Sequence, residues 1–217
     1  MKEIIKLKDI TLSYHTPHNR VDVLNEENLI IKEGEFTVIF GPSGSGKTTI
    51  LNLIAGFIKP NAGEVKIENQ NIASFSEKEI CKYRNKKIGY IFQFFNLLQN
   101  FTSEENVSVP LLLSGMTKED IDKKVHTLLE KVKMGHRKKH YPMELSGGEQ
   151  QRVAIARAIA NNPSIILADE PTGNLDEKTG ETILKLLSDI HSEGKTLVVV
   201  THDRRIANYA TRIIEMS

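Results

Sequence analysis

Phe36-Thr37-Val38-Ile39-Phe40-Gly41-Pro42-Ser43-Gly44-Ser45-Gly46-Lys47-Thr48-Thr49-Ile50 runs from an apolar segment through a glycine-rich turn into a second apolar pattern. Residues 41–48 fill the pattern G-x-x-x-x-G-K-[ST], whose backbone cradles phosphates. Phe36 to Phe40 suits a strand buried on both faces. Thr48 to Phe57 places Ile50, Leu51, Leu53 and Ile54 on one side of a helix. Strand before and helix after is the context this motif requires. Gly41, Gly44 and Gly46 let the backbone turn its N–H groups inward as an anion nest, and the helix adds its positive N-terminal end. Lys47 can reach the β- and γ-phosphates of a nucleotide, and the Thr48 hydroxyl can ligate Mg²⁺. A plain glycine turn would explain the bend but neither of those two side chains.

Further on, Leu145-Ser146-Gly147-Gly148-Glu149-Gln150 again sets a serine and two glycines directly before a helical run. One triphosphate needs only one cradle. A second of the same kind predicts a nucleotide gripped from two sides, by a chain that works as a pair. Ile165, Ile166, Leu167 and Ala168 precede Asp169 and Glu170, and an apolar strand ending in two acids delivers carboxylates to the sheet edge where ligands of open α/β sheets bind. Asp169 is placed to hold magnesium. Glu170, one residue on, points differently and can polarise an attacking water; positioned bases contribute typically ~10²–10⁴-fold. His202 closes the apolar strand Leu197 to Val200 on the same edge, where an imidazole can contact a γ-phosphate. His136 and His140, loosely spaced in Gly135-His136-Arg137-Lys138-Lys139-His140, read as a solvated basic face and not as metal ligands.

Strands and helices alternate along the rest of the chain. Residues 4–14 and 21–39 read as strands with Gly34 as a turn, 63–73 as a hairpin and 88–92 as a strand. From about 94 to 162 the pattern is mostly helical, with stripes over 117–134 and 149–161; strands at 165–168 and 196–200 flank a helix near 177–192. This alternation predicts an α/β fold with a largely parallel sheet. At 217 residues the chain suffices for one domain. Lys plus Arg number 29 against 28 Asp plus Glu, so no nucleic-acid partner is expected. Cys81 is the single cysteine, which excludes an internal disulfide and suits a reducing compartment. Met1-Lys2-Glu3 leads into an alternating segment instead of an apolar signal core, and no apolar run approaches the ~20 residues needed to cross a bilayer. Any membrane role is therefore expected to come through a partner.

Together these residues resemble the nucleotide-binding subunit of an ATP-binding cassette (ABC) transporter, and the resemblance covers nearly the whole chain. It implies a P-loop NTPase (RecA-like) core with an antiparallel β subdomain, about 1–92 and 163–217, and an inserted helical subdomain, about 93–162. The Walker A match is 41–48, with Thr49 beside it; the Walker B match is 165–169, and Glu170 takes the catalytic carboxylate's place. Ser146, Gly147, Gly148 and Glu149 fall in the signature motif. Gln93 matches the glutamine loop, Asn174-Leu175-Asp176 the D-loop and His202 the switch histidine, while Tyr14 sits where an adenine-stacking aromatic is expected. The resemblance thus implies Lys47, Gln93, Glu170 and His202 as catalytic, Thr48, Gln93 and Asp169 as the magnesium set, and ATP and Mg²⁺ as cofactors.

Phe92-Gln93-Phe94-Phe95-Asn96-Leu97-Leu98 and Ala168 to Asp176 further resemble the branch that includes lipoprotein-release, macrolide-export and antimicrobial-peptide-resistance ATPases. That implies ATP-driven homodimerisation, a transmembrane permease as partner, and a place on the cytoplasmic face of the inner membrane. The chain ends at Glu215-Met216-Ser217, just after strand-like Arg212 to Ile214, where the resemblance implies a glycine turn and more residues. Phe92, Phe94, Phe95 and Phe101 are half of the chain's eight phenylalanines; one or two are expected to stay exposed for that partner, the others to fill core. The stretch Lys82 to Lys87 reads as a solvated face. A small-molecule phosphotransferase would need an acceptor site and lid arginines, and repair or translation cassettes would show coiled coils, zinc inserts or a second cassette. An ABC ATPase relaying signals through a membrane partner to cell-wall hydrolases, as in cell division, would carry nearly the same residues and stays open at this point.

Overall fold

The computed structural model describes residues 2–15 and 19–216; Met1 and Ser217, which entered the reading of the chain's ends, lie outside the described residues. In chain order the elements are β1 (Glu3–His15), β2 (Arg20–Lys32), β3 (Phe36–Phe40), α1 (Lys47–Ile54), β4 (Ala62–Ile67), β5 (Gln70–Asn71), α2 (Glu77–Lys87), β6 (Ile88–Ile91), α3 (Ser103–Leu113), α4 (Lys118–Lys131), α5 (Gly147–Ala158), β7 (Ile165–Asp169), α6 (Glu177–Ser192), β8 (Thr196–Val200) and β9 (Arg212–Glu215). A parallel sheet has the order β6-β7-β8-β3-β9, and an antiparallel sheet the order β2-β1-β4-β5. The α/β class and the largely parallel sheet expected from the alternation are what the chain forms.

The central strands are buried on both faces, and their period of two divides the core. Phe36, Val38 and Phe40 of β3, with Ile166, Ala168, Leu197 and Val199, join a cluster with α3 to α6. Ile39, Leu167, Val198 and Val200 point the other way, into a cluster with α1 and the antiparallel sheet. In the parallel register Asp169 lies opposite Val200, and Ile39 also opposite Val200 from the other side. The loop after β3, the end of β7 and the residues after β8 therefore meet at one edge.

Two helices escaped the periodicity reading. α2 buries only Ile80 and Tyr83, so its apolar stripe is thin, yet Ser76 and Glu79 close a reciprocal cap at its start. Thr102 and Glu105 do the same for α3. Both are the S/T-x-x-E spacing that marks a helix N-terminus. The solvated face expected over Lys82 to Lys87 is thereby corrected at two positions. The Tyr83 ring is buried, with its hydroxyl donating to the Ile54 carbonyl at 2.7 Å, and Lys87 pairs with Glu68 at 2.8 Å.

β6 and α5 touch at Gly89, where a Cβ would lie 2.4 Å from the Ala158 carbonyl oxygen, well inside contact distance. Gly89→Ala must push strand and helix apart, and overpacking of this kind costs about 1–3 kcal/mol. For a chain of this size each kcal/mol lowers the thermal midpoint by roughly 2–4 °C. A melt within about one degree of the parent would show that the seam opens freely.

Candidate functional site

A cavity of about 720 Å³ opens where β3, β7 and β8 end. Every residue of 41–49 except Ser45 lines it, together with Gln93, Asp169, Glu170 and His202. Gly44 and Gly46 both take positive φ, +87° and +86°, turning the backbone into the concave path of an anion nest. Gly41 cannot carry a side chain, because a Cβ would come within 2.6 Å of both Ser45 Oγ and the Met216 carbonyl. The Ser45 hydroxyl lies buried without a hydrogen-bond partner among the described residues. Lys47 is 8% exposed and donates from Nζ to the carbonyls of Gly41 at 2.8 Å and Pro42 at 2.7 Å. A buried cation needs such partners; phosphate oxygens can replace these neutral carbonyls without any new burial.

Thr48 Oγ1 donates to Asp169 Oδ1 at 3.0 Å, so a hydroxyl and a carboxylate oxygen from different elements already sit side by side. Burial raises the Asp169 pKa, with the neighbouring Glu170 charge adding to it against the Thr48 hydrogen bond. A carboxylate strained in this direction favours a cation. Among the described residues no group of three or more His, Cys, Asp or Glu could hold a metal. Two hard oxygens, with phosphate and water completing the shell, is the manner in which Mg²⁺ binds, and the pair fits that ion.

Glu170 leaves the strand with φ +43°, a left-handed conformation that a non-glycine residue holds only when its surroundings fix it. Its N–H donates to the Val200 carbonyl at 2.9 Å. Its Oε2 accepts from Thr201 Oγ1 at 2.8 Å and from the His202 N–H at 3.3 Å, while Oε1 lies 2.9 Å from His202 Nδ1. An ionised carboxylate only accepts, so Nδ1 carries the ring proton and Nε2 is left free to face the cavity. Beside them Asp203 accepts from Thr172 Oγ1 at 2.8 Å and pairs with Arg205 at 2.7 Å, and Arg205 also donates to the Glu177 carbonyl at 3.0 Å. This link between the ends of β8, the 170–176 loop and α6 was not anticipated; an Asp and Arg two apart after a strand was the only signal for it.

The second glycine motif does not line this cavity. Ser146 caps α5: Glu149 N–H donates to Ser146 Oγ at 3.4 Å, and the Glu149 carboxylate accepts from Ser146 N–H and Oγ at 2.9 and 3.0 Å. Arg137 reaches the same carboxylate at 3.2 Å, which corrects the purely solvated face expected over 135–140. Gly148 packs on α6, where a Cβ would meet Thr179 Cγ2 at 2.3 Å, whereas Gly147 has room for ordinary contact. Tyr14 is 49% exposed on β1 and outside the cavity lining; Val23 of β2 supplies that wall instead, a residue with no motif to mark it. The Gln93 carbonyl accepts from Asn174 Nδ2 at 2.8 Å, joining the two loops named from the resemblance.

Of the four clustered phenylalanines, Phe94 and Phe101 are exposed at 70% and 40%, as expected for one or two of them. Only Phe92 lines the second cavity, an apolar groove of about 440 Å³ among Phe57, Arg84, Tyr90, Leu113 and Arg157.

Comparison with known proteins places this geometry. Residues 24–173 match the ABC transporter family. The chain is 50% identical to the ABC transporter ATP-binding protein MJ0796 of Methanocaldococcus jannaschii, over 97% of this chain and 92% of that protein. It is 45% identical to the lipoprotein-releasing system ATP-binding protein LolD of Legionella pneumophila, over 97% and 93%. The dimeric post-hydrolysis structure of MJ0796 bound to ADP and Pi resembles it with a TM-score of 0.92 and 46% identity, covering 99% of this chain and 94% of that one.

Arg205 holds the Asp203 carboxyl at about 2, below its ordinary 3.8. A depressed carboxylate contributes stability that is complete above its ordinary pKa and lost as pH falls through the folded value. Asp203→Asn should therefore lower stability at neutral pH by about 1–2 kcal/mol, after discounting for solvent screening. The gap from the parent should close as pH falls from about 4 to 2. Thermal midpoints followed against pH check this; a gap constant across that window would contradict it.

Proposed function

We propose that this chain, which belongs to the ABC transporter family and is one of its ATPases, hydrolyses ATP only as a pair, with each nucleotide held between two copies. The observation that carries this is the separation within one chain. The 41–49 loop, Gln93, Asp169, Glu170 and His202 share one cavity, while Ser146, Gly147 and Gly148 open α5 outside it. A helix N-terminus with its serine cap and two glycine N–H groups is an anion receptor, and in a second copy it would cover the γ-phosphate from the far side. The dimeric ADP- and Pi-bound MJ0796 structure supports the arrangement.

Within each site Lys47 would exchange the Gly41 and Pro42 carbonyls for phosphate oxygens, and Thr48 and Asp169 would hold Mg²⁺. The ion supplies charge neutralisation for the phosphates. Glu170, fixed by Thr201 and His202, would accept the proton of the attacking water. His202 would present Nε2 to the γ-phosphate, and Gln93 would face the metal and phosphate. Gly41 to Thr49 with Ser146 to Glu149 are the proposed ATP contacts. Tyr14 is proposed only as an exposed aromatic within reach of an adenine edge.

No helix among the described residues is long and apolar enough to cross a membrane. The proposed partner is a transmembrane permease that lays a short amphipathic helix in the groove between Phe57, Leu113 and Phe92, with 93–162 moving as the helical subdomain and the assembly on the cytoplasmic face of the inner membrane. The lipoprotein-releasing relative favours transport or extraction of membrane-held cargo over relaying signals to cell-wall hydrolases.

Glu170→Gln should keep ATP binding, lose turnover by at least ~10²-fold, and accumulate a dimer in MgATP by light scattering. A strictly monomeric variant at high protein concentration and low salt would sink the paired site. Ser146→Arg should bind nucleotide with the parent's affinity yet fail to dimerise; outright loss of binding would place the motif elsewhere.

A further inference from the structure

Two residues beyond Gln93 the backbone makes two consecutive left-handed residues, Phe95 at φ +61° and Asn96 at φ +48°. Neither is glycine, and such a pair persists only where the surroundings over-determine it. Asn96 is exposed, and among the described residues its side chain makes no hydrogen bond that would fix it. The turn is held locally by Phe95 N–H on the Phe92 carbonyl at 3.2 Å and Asn96 N–H on the Phe94 carbonyl at 2.6 Å, and from outside it by a side chain of α5. Arg157 Nη2 donates to the Phe95 carbonyl at 2.8 Å and Nη1 to the Asn96 carbonyl at 2.5 Å. Burial lowers the Arg157 pKa to about 10, so the guanidinium stays charged at neutral pH. Among the described residues this half-buried cation forms no ion pair, and its donors go to two backbone carbonyls. That is an expensive arrangement to maintain for packing alone.

We propose that Arg157 is a positioning residue for Gln93, whose forked grip on the Phe95 and Asn96 carbonyls keeps the left-handed turn that aims Gln93 into the nucleotide cavity. It acts through the backbone and touches no nucleotide. The guanidinium suits the task because its donors are held in one plane, whereas an ammonium is a point charge. The grip also has a direction. α5 follows its Ser146 cap and spans 12 residues, about 18 Å of rigid rod, so the end that would cover the partner's phosphate and the end that holds this turn move together. The inference rests on the proposed role of Gln93 in the nucleotide site.

The test is a kinetic cycle with ATP titrations on the full chain. Arg157→Met keeps the stem and removes both donors; it should lower kcat at least tenfold while the Kd for ATP, set by the 41–49 loop, moves less than threefold. Arg157→Lys should recover only part of the loss. Gln93→Ala should also lower kcat, and adding Arg157→Met to it should lower kcat less than twofold further, because both changes act on one side chain. Asn96→Gly should restore most of kcat in the Arg157→Met chain, since glycine takes positive φ without strain. Full additivity of the two losses, an unaltered kcat in Arg157→Met, or full activity in Arg157→Lys would each overturn the proposal. Should Arg157→Met not fold, Arg157→Lys with and without Asn96→Gly decides the same question, absence of rescue overturning the proposal. Gln93→Ala with normal kcat would instead remove the Gln93 reading, leaving the dimer test on Glu170→Gln unaffected.

Discussion

The parallel pairing of β8 with both β3 and β7 is the constraint on which the rest depends. Parallel strands start on one side of a sheet and end on the other, so whatever follows them is gathered without further instruction. Val200 faces Ile39 on one side and Asp169 on the other. Gly41, Glu170 and His202 each come within two residues of that row. A slip of one residue in β8 would turn Leu197 and Val199 from the helical core toward the antiparallel sheet, and would carry His202 away from Glu170. Core packing therefore fixes the chemistry's register.

Given that register, the site is held together by its own polar groups, which are the ones chemistry would draw upon. Lys47 is satisfied by loop carbonyls, Thr48 by Asp169, and Glu170 by Thr201 and His202. Each is an internal bond in which one partner is weaker than the ligand proposed to replace it: neutral carbonyls against phosphate, a hydroxyl against a divalent ion. The chain thereby satisfies these groups internally without being indifferent to nucleotide. Asp169 shows the remaining tension, since its burial and the adjacent Glu170 push its proton affinity up, and a cation would relieve both.

Much of this was legible because it is local. The glycine loop between an apolar strand and a helix, the acids ending β7 and the histidine after β8 are patterns within a few residues. The short parallel strands declare themselves as apolar runs, and the amphipathic α4 and α6 by their period. What stayed hidden is of two kinds. α2 buries only Ile80 and Tyr83, and two of the four buried residues of α3 are the polar Ser103 and Asn106, so neither shows an apolar stripe, and their reciprocal caps are what mark where they begin. The contacts that tie loops together, Thr172 with Asp203, Asn174 with Gln93 and Arg157 with Phe95 and Asn96, join residues 31, 81, 62 and 61 apart. No spacing rule reaches that far; they exist only once the sheet has brought the loops together.

α5 gathers these threads. Its first turn, the proposed receptor for a second copy's phosphate, lies outside the cavity that the 41–49 loop lines, and its carboxylate cap is braced by Arg137. It packs closely on α6 at Gly148 and, a turn further on, Gln151 Nε2 donates to the Pro171 carbonyl at 2.7 Å, next to Glu170. Its last turn carries Arg157. A helix so fastened cannot shift at one end without pulling at the loops that bear Glu170 and Gln93. Closing on a second copy's phosphate would load the first turn, and the rigidity of the rod would deliver that load to the chain's own site. On the proposed paired site, a motif redundant within a single chain would have a physical reason to be there: it is where one active site would learn that the other is filled.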